Sequence, residues 1–273
     1  VEADSDNPAG LNALGNLARL RDESDQAVDY YRRAIEVSPD NRQTLQGLTA
    51  VMKREELASL MEQIREQHPD AYGPRLILLE SALIDSDTQR ADDLTASLLE
   101  REDEPSPAPA ESAVASVYHG IATQLAQRER LDQAASVLRR GRVLFPDNEE
   151  IGIQAAAIQF AEGNTKEARD ILRDVKQQHP ESAAPFRIEA RYFEGQEEYQ
   201  QAAELYQLAI ELEQNASLEV AYARALARSG QPSKAAESLE NARQAFPRNP
   251  QILMNLAMLH QENEAPDKAI PSY

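Results

Sequence analysis

The stretch "LDQAASVLRRGRVLFPDN" runs from Leu131 to Asn148, and its wording nearly repeats "SDQAVDYYRRAIEVSPDN", from Ser24 to Asn41. Asp-Gln-Ala sits near the front of both copies and Pro-Asp-Asn closes both. Such an echo calls for a search along the chain for a fixed period. An Ala preceded by polar residues recurs at Ala134, Ala168, Ala202, Ala235 and Ala269, at intervals of 34, 34, 33 and 34 residues. Twelve residues before each stands another Ala, at Ala122, Ala156, Ala190, Ala223 and Ala257. Twelve residues after three of them stands a proline, at Pro146, Pro180 and Pro247. The upstream copy fits the same frame through Gly15, Ala27 and Pro39.

This spacing is that of a helical hairpin. Small residues mark the closest approach of two antiparallel helices, and large apolar residues one turn away fill the space around them. Proline closes the second helix because it cannot continue one. In the repeat that starts at Ala183, Phe186, Ala190 and Phe193 fall on one helical stripe, and Ala202, Tyr206, Ala209 and Ile210 form the opposing stripe. A single hairpin cannot bury its apolar faces, so neighbours must stack into a continuous core.

The pattern resembles the tetratricopeptide repeat, a helix-turn-helix unit of 34 residues. The family's first-helix Leu-Gly pair appears as Leu14-Gly15, and its second-helix Ala, aromatic, Ala and closing Pro appear as Ala27, Tyr31, Ala34 and Pro39. Repeats are expected at about 8–41, 115–148, 149–182, 183–215, 216–249 and 250–273, the last incomplete. Residues 42–71 and 72–100 read as degenerate hairpins, the first shortened because Pro39 to Pro69 is only 30 residues and the second carrying Ala91 as its small residue. Between them and the later repeats lies "REDEPSPAPAE" at 101–111, read as a linker because Pro105, Pro107 and Pro109 oppose helix. The family's Trp is missing, Gly141 and Val175 replace a second-helix Ala, and Gln214 replaces one Pro. The resemblance implies an all-α, right-handed superhelical solenoid over 1–273, its first helices on the concave wall and its second helices on the convex one.

Composition agrees with an all-helical chain and narrows its partners. Of 273 residues, 41% are hydrophobic, only 5% are aromatic, and there is no Trp. The 28 Lys and Arg face 47 Asp and Glu, a net charge of −19 that repels phosphate backbones and anionic membranes. No apolar run approaches the roughly 18 residues of a membrane span. With no cysteine, disulfides, thiolate zinc sites and thiol catalysis are excluded. The chain starts at Val1 and ends on "APDKAIPSY", early in an expected helix, so it reads as a segment of a longer protein.

Catalytic chemistry is not visible. No two of the four histidines share a metal-ligand spacing, and neither a glycine-rich phosphate loop nor a Gly-x-Ser-x-Gly elbow occurs. His68 and His179 each precede a closing Pro, where an imidazole can cap the last carbonyls of a helix. His260 falls at a packed first-helix position, and His119, after Tyr118, is expected to face the groove. Carboxylate pairs such as Glu197-Glu198 read as solvated helix faces. No enzyme activity, cofactor or metal is expected.

One feature stands against the acidic background. Arg187 and Arg191 are four apart on one first helix, and Arg224 and Arg228 are four apart on the next. Arg191 and Arg224 each follow the close-packed Ala of their helix, so they leave it in the same direction. First helices about 8–10 Å apart would gather the four guanidiniums into one patch suited to carboxylates. Ile153, Val220, Met254 and Met258 are expected to add apolar contact. The competing expectation is that these arginines pair internally with Glu194 and Glu219. A carboxylate clamp of the chaperone-adaptor type is not expected: Asn12 and Asn16 have the spacing, but Gln43 and Gln46 stand where its cationic and amide partners are needed.

The expected function is therefore a non-enzymatic scaffold that binds a protein or peptide, with an acidic segment, in its concave groove. The alternative is a structural spacer in a multidomain bacterial envelope protein of secretion or assembly, for example exopolysaccharide export. The Ala-, Gln- and Glu-rich wording leans towards a bacterial periplasm or cell envelope over cytoplasm, by analogy of fold alone.

Overall fold

In the computed structural model, which describes residues 7–99 and 109–262, the described chain folds into fifteen α-helices without a strand. These are α1 (Pro8–Leu20), α2 (Ser24–Val37), α3 (Arg42–Val51), α4 (Arg54–Gln67), α5 (Gly73–Asp85), α6 (Thr88–Leu99), α7 (Pro109–Gln127) and α8 (Leu131–Leu144). They continue as α9 (Glu149–Ala161), α10 (Thr165–Gln178), α11 (Ala184–Gly195), α12 (Tyr199–Leu212), α13 (Ala216–Arg228), α14 (Pro232–Ala245) and α15 (Pro250–Glu262). Contacts divide the chain into two units, Val1–Gly141 and Arg142–Tyr273. The helices pack in sequence order, α1 on α2 and α5 on α6 in the first unit and α9 on α10, α11 on α12 and α13 on α14 in the second. Packing of α2 on α3, α4 on α5 and α12 on α13 carries the stack onward.

The recurring Pro-Asp-Asn performs two jobs. Each proline-closed helix ends two residues before its proline: α2 at Val37, α4 at Gln67, α10 at Gln178 and α14 at Ala245. The residue between them is pushed out of helical geometry by the proline ring, with ψ between 61° and 82° at Ser38, His68, His179 and Phe246. After Pro39, Pro146 and Pro247 an asparagine two residues on then starts the next helix. Asn41 accepts from the Thr44 amide at 3.1 Å and Asn148 from the Ile151 amide at 3.0 Å, each satisfying an unpaired helix donor. Asn249 does the same for Gln251 and Ile252. The hairpin turn is also shared: Glu129, Gly163, Glu197 and Gly230, one repeat apart, all take a left-handed backbone near φ 60–83°.

The first unit is pinned by polar contacts between repeats. Tyr31 is fully buried between Gly15 of α1 and Gly47 of α3, and its hydroxyl donates to Asn16 at 3.0 Å. Asn12, also buried, accepts from the Thr44 hydroxyl at 2.8 Å. Of the two asparagines of the rejected clamp, Asn12 is thus buried between repeats, while Asn16 stays exposed and accepts the Tyr31 hydroxyl. Arg75 lies buried at the start of α5 and donates to the carbonyls of Asp70, Ala71 and Ser97. It thereby joins the last described turn of α6 to the loop before α5 and to α5 itself.

The shortened hairpin owes its length to α3, which has 10 residues where α1 has 13. Of the stretch 101–111 read as a linker, the last three residues belong to α7, which begins at Pro109. Proline is tolerated at a first helical position, where its missing N–H would be unpaired in any case. Residues 100–108 of that linker lie outside the described residues.

In the second unit the first helices stand side by side, α9 on α11 and α13 on α15. Its core is built from the frame residues, with Ala190, Ala202, Ala209, Ala223 and Ala235 all buried against Tyr206 and Leu239. At Val175, which replaces a small residue of the frame, the space is recovered at Gly152: a Cβ there would lie 2.6 Å from a Val175 methyl.

Candidate functional site

The four arginines lie on α11 and α13, and the structure sorts them. Arg224 makes a forked contact with Glu194 of α11, Nε to Oε1 at 2.7 Å and Nη2 to Oε2 at 3.1 Å. Tyr206 of α12 donates to the same carboxylate at 3.0 Å. Arg228 reaches back to the Tyr199 hydroxyl at 3.4 Å, with its guanidinium 5.5 Å from that ring. Arg187 and Arg191 have no ion-pair partner among the described residues. Internal pairing therefore occurs at Glu194 alone, and Glu219 is half-buried without such a partner among the described residues.

Electrostatics centre on Glu194. Burial pushes its carboxyl up, but hydrogen bonds from Arg224 and Tyr206, with the charges of Arg224 and Arg228, outweigh burial and hold it below its ordinary range. The Tyr206 hydroxyl is pushed up, first by burial and then by the charge of Glu194, so it remains a donor. The charges of Arg224 and Arg191 both reach that hydroxyl. Two arginines thus act on the Glu194 carboxylate and a third, Arg191, on its Tyr206 partner, a local excess of positive charge on a chain of net charge −19. Glu219 carries no such compensation, and burial pushes its carboxyl up.

The apolar residues divide. Met254 and Met258 are 54% and 50% exposed, one turn apart on α15. Ile153 is half-buried on α9. Val220 is only 8% exposed and belongs to the core cluster, so it lends the surface almost nothing. His119 is half-buried on α7 in the other unit and is engaged there by its neighbours.

His179 does not cap its own helix through its ring: Nε2 lies 2.9 Å from the Asp147 carbonyl, tying the end of α10 to the loop before α9. The side chain of His260 lies outside the described residues. Glu197 and Glu198 are exposed. Tyr206 was legible only as a helix-packing aromatic and Tyr199 had no role in the sequence reading; their hydroxyl partners come from neighbouring helices. Among the described residues no helix is long and apolar enough to cross a membrane, and no cluster of His, Asp and Glu could hold a metal.

Three models of the tetratricopeptide repeat match the chain, over residues 11–44, 125–192 and 216–259. No curated protein matches it in sequence. Among solved structures, yeast Tom70 is 18% identical with a TM-score of 0.52, over 99% of this chain and 60% of Tom70. A crystal structure of MamA is 18% identical with a TM-score of 0.46, over 58% of this chain and 87% of MamA. Identity this low speaks for the fold alone. An Ala-Ala-Pro frame, the antiparallel helix pairs built on it and family matches along both units have one explanation: the chain belongs to the tetratricopeptide repeat family.

Proposed function

We propose that this chain is a non-enzymatic scaffold that holds a protein partner along the first helices of its second unit, taking an acidic segment at Arg187, Arg191, Arg224 and Arg228. The observation that carries this reading is the unbalanced charge: Arg191, Arg224 and Arg228 act on Glu194 and its Tyr206 partner, while Arg187 and Arg191 have no ion-pair partner among the described residues. Guanidiniums left unpaired on an ordered helix can fork onto carboxylates without first breaking an internal contact. Met254 and Met258 supply adaptable apolar contact on α15. The net charge of −19 favours protein over nucleic acid as the partner.

The test uses a fluorescent Asp/Glu-rich peptide and its anisotropy. Arg187→Glu with Arg191→Glu is expected to weaken binding about tenfold or more while far-UV circular dichroism stays unchanged. Arg224→Glu is the poorer probe, because it would set a second acid against Glu194 and disturb the α11–α13 contact. Unchanged affinity in the double variant would retire the site. A wild-type chain that binds no such peptide even at low salt would favour the spacer alternative.

A further inference from the structure

The second helix α10 carries a basic stripe that the repeat frame does not require. Lys166, Arg169, Arg173 and Lys176 follow each other at intervals of three, four and three, so all four share one helical face. They line an open cleft of about 610 Å³ between α10 and α11. Glu189 of α11 forms part of its wall and is only 4% exposed. Arg169 Nε and Lys176 Nζ each lie 2.8 Å from Glu189, one on each carboxylate oxygen. Lys176 also lies over the Phe186 ring at 4.3 Å, and Arg169 over Phe193 at 5.7 Å. One buried acid and two aromatic rings therefore fix two cations in place. At one end the hydroxyls of Thr165 and Tyr192, 2.6 Å apart, tie α10 to α11.

The cleft keeps a surplus of positive charge. Its four cations face two carboxylates, Glu189 and Asp170, and Asp170 is paired within α10 to Arg173. Lys166 has no ion-pair partner among the described residues. The site is also separate from the arginines of α11: Glu189 and Arg187 lie about 160° apart around that helix at 100° per residue.

We propose that this cleft is a second docking site, for an acidic segment of a partner protein lying along α10. The proposal assumes the scaffold reading but not the arginine site on α11. Length selects a segment over a small anion: Lys166 to Lys176 spans about 15 Å at 1.5 Å per residue, enough for two to three turns of helix and longer than one phosphate group. A helical ligand with carboxylates at i, i+3, i+7 and i+10 would repeat the spacing of the stripe.

The experiment starts from the full chain carrying Arg187→Glu and Arg191→Glu, so that the site on α11 is disabled. The probe is a labelled helical peptide with glutamates at that spacing, and inorganic triphosphate is the competitor. The host is expected to retain binding, falling with added salt, and further substitution of Lys166→Glu and Arg173→Glu should weaken it about tenfold or more. These two are chosen because Arg169 and Lys176 hold the buried Glu189, and losing either would disturb the fold. Lys166→Gln with Arg173→Gln should show an intermediate loss with unaltered circular dichroism. No binding by the host, no effect of the added substitutions, or tighter binding of triphosphate than of peptide would each overturn the proposal. A wild-type chain unaffected by the α11 substitutions alone would count against the arginine site and leave this one standing.

Discussion

Replacing Gly47 by Ala should destabilise the first unit by about 2 kcal/mol, although Ala is the better helix former. A Cβ at position 47 would lie 2.5 Å from Tyr31 Cζ and 2.6 Å from Cε1, inside any real carbon contact. The ring cannot step aside. Gly15 presses on the same ring, with a Cβ there also falling 2.5 Å from Cε1, and the hydroxyl is tied to Asn16. Overpacking of this kind costs up to about 3 kcal/mol, against roughly 1 kcal/mol gained in helix propensity. Gly120 supplies the control, since nothing lies within 4 Å of a Cβ added there. In urea denaturation followed by circular dichroism, Gly47→Ala should lower the midpoint and Gly120→Ala should raise it. Equal shifts in one direction would show that the Tyr31 contact does not decide the packing.

The second large effect lies at Gly152 and Val175. Gly152→Ala drives a methyl into the Val175 side chain at 2.6 Å and should cost about 2 kcal/mol. Val175→Ala alone leaves a small cavity and should cost about 1 kcal/mol or more. Together the new methyl occupies space that the lost ones vacate, so the double variant should be more stable than the sum of the two costs allows. A coupling of about 1 kcal/mol or more in this cycle marks a shared volume, whereas strict additivity would separate the two positions. This pair also explains how a Val can stand where the frame has Ala: the bulk moved from one helix to its partner.

The repeat was legible because its signals are local. Ala-Ala-Pro spacing states where two helices must touch and where the second must stop, and the helix ends before Pro39, Pro69, Pro180 and Pro247 follow from the proline ring alone. What escaped the sequence lies between repeats. Gly47 looks like an ordinary interruption of α3 until Tyr31 of the preceding pair is placed against it. The asparagine two residues after Pro39, Pro146 and Pro247 carries a cap signal that was available but hidden inside a repeated word. Among the arginines, the even spacing gave adjacency of α11 and α13, but not which head Glu194 would take. Val220 is a matter of rotation: it turns into the core, where Met254 and Met258 turn out. The stripe on α10 was visible as a period of three and four, yet its meaning depended on a buried Glu189 contributed by the next helix.

Hydrogen–deuterium exchange of the chain with and without a saturating acidic partner peptide would locate bound ligand residue by residue. Slowed exchange should concentrate on α11 and α13, around Arg191 and Arg224, and diminish in the Arg187→Glu, Arg191→Glu chain. Exchange unchanged across both helices, at a concentration where the peptide is demonstrably bound, would show that the first helices of this unit are not the surface that holds it.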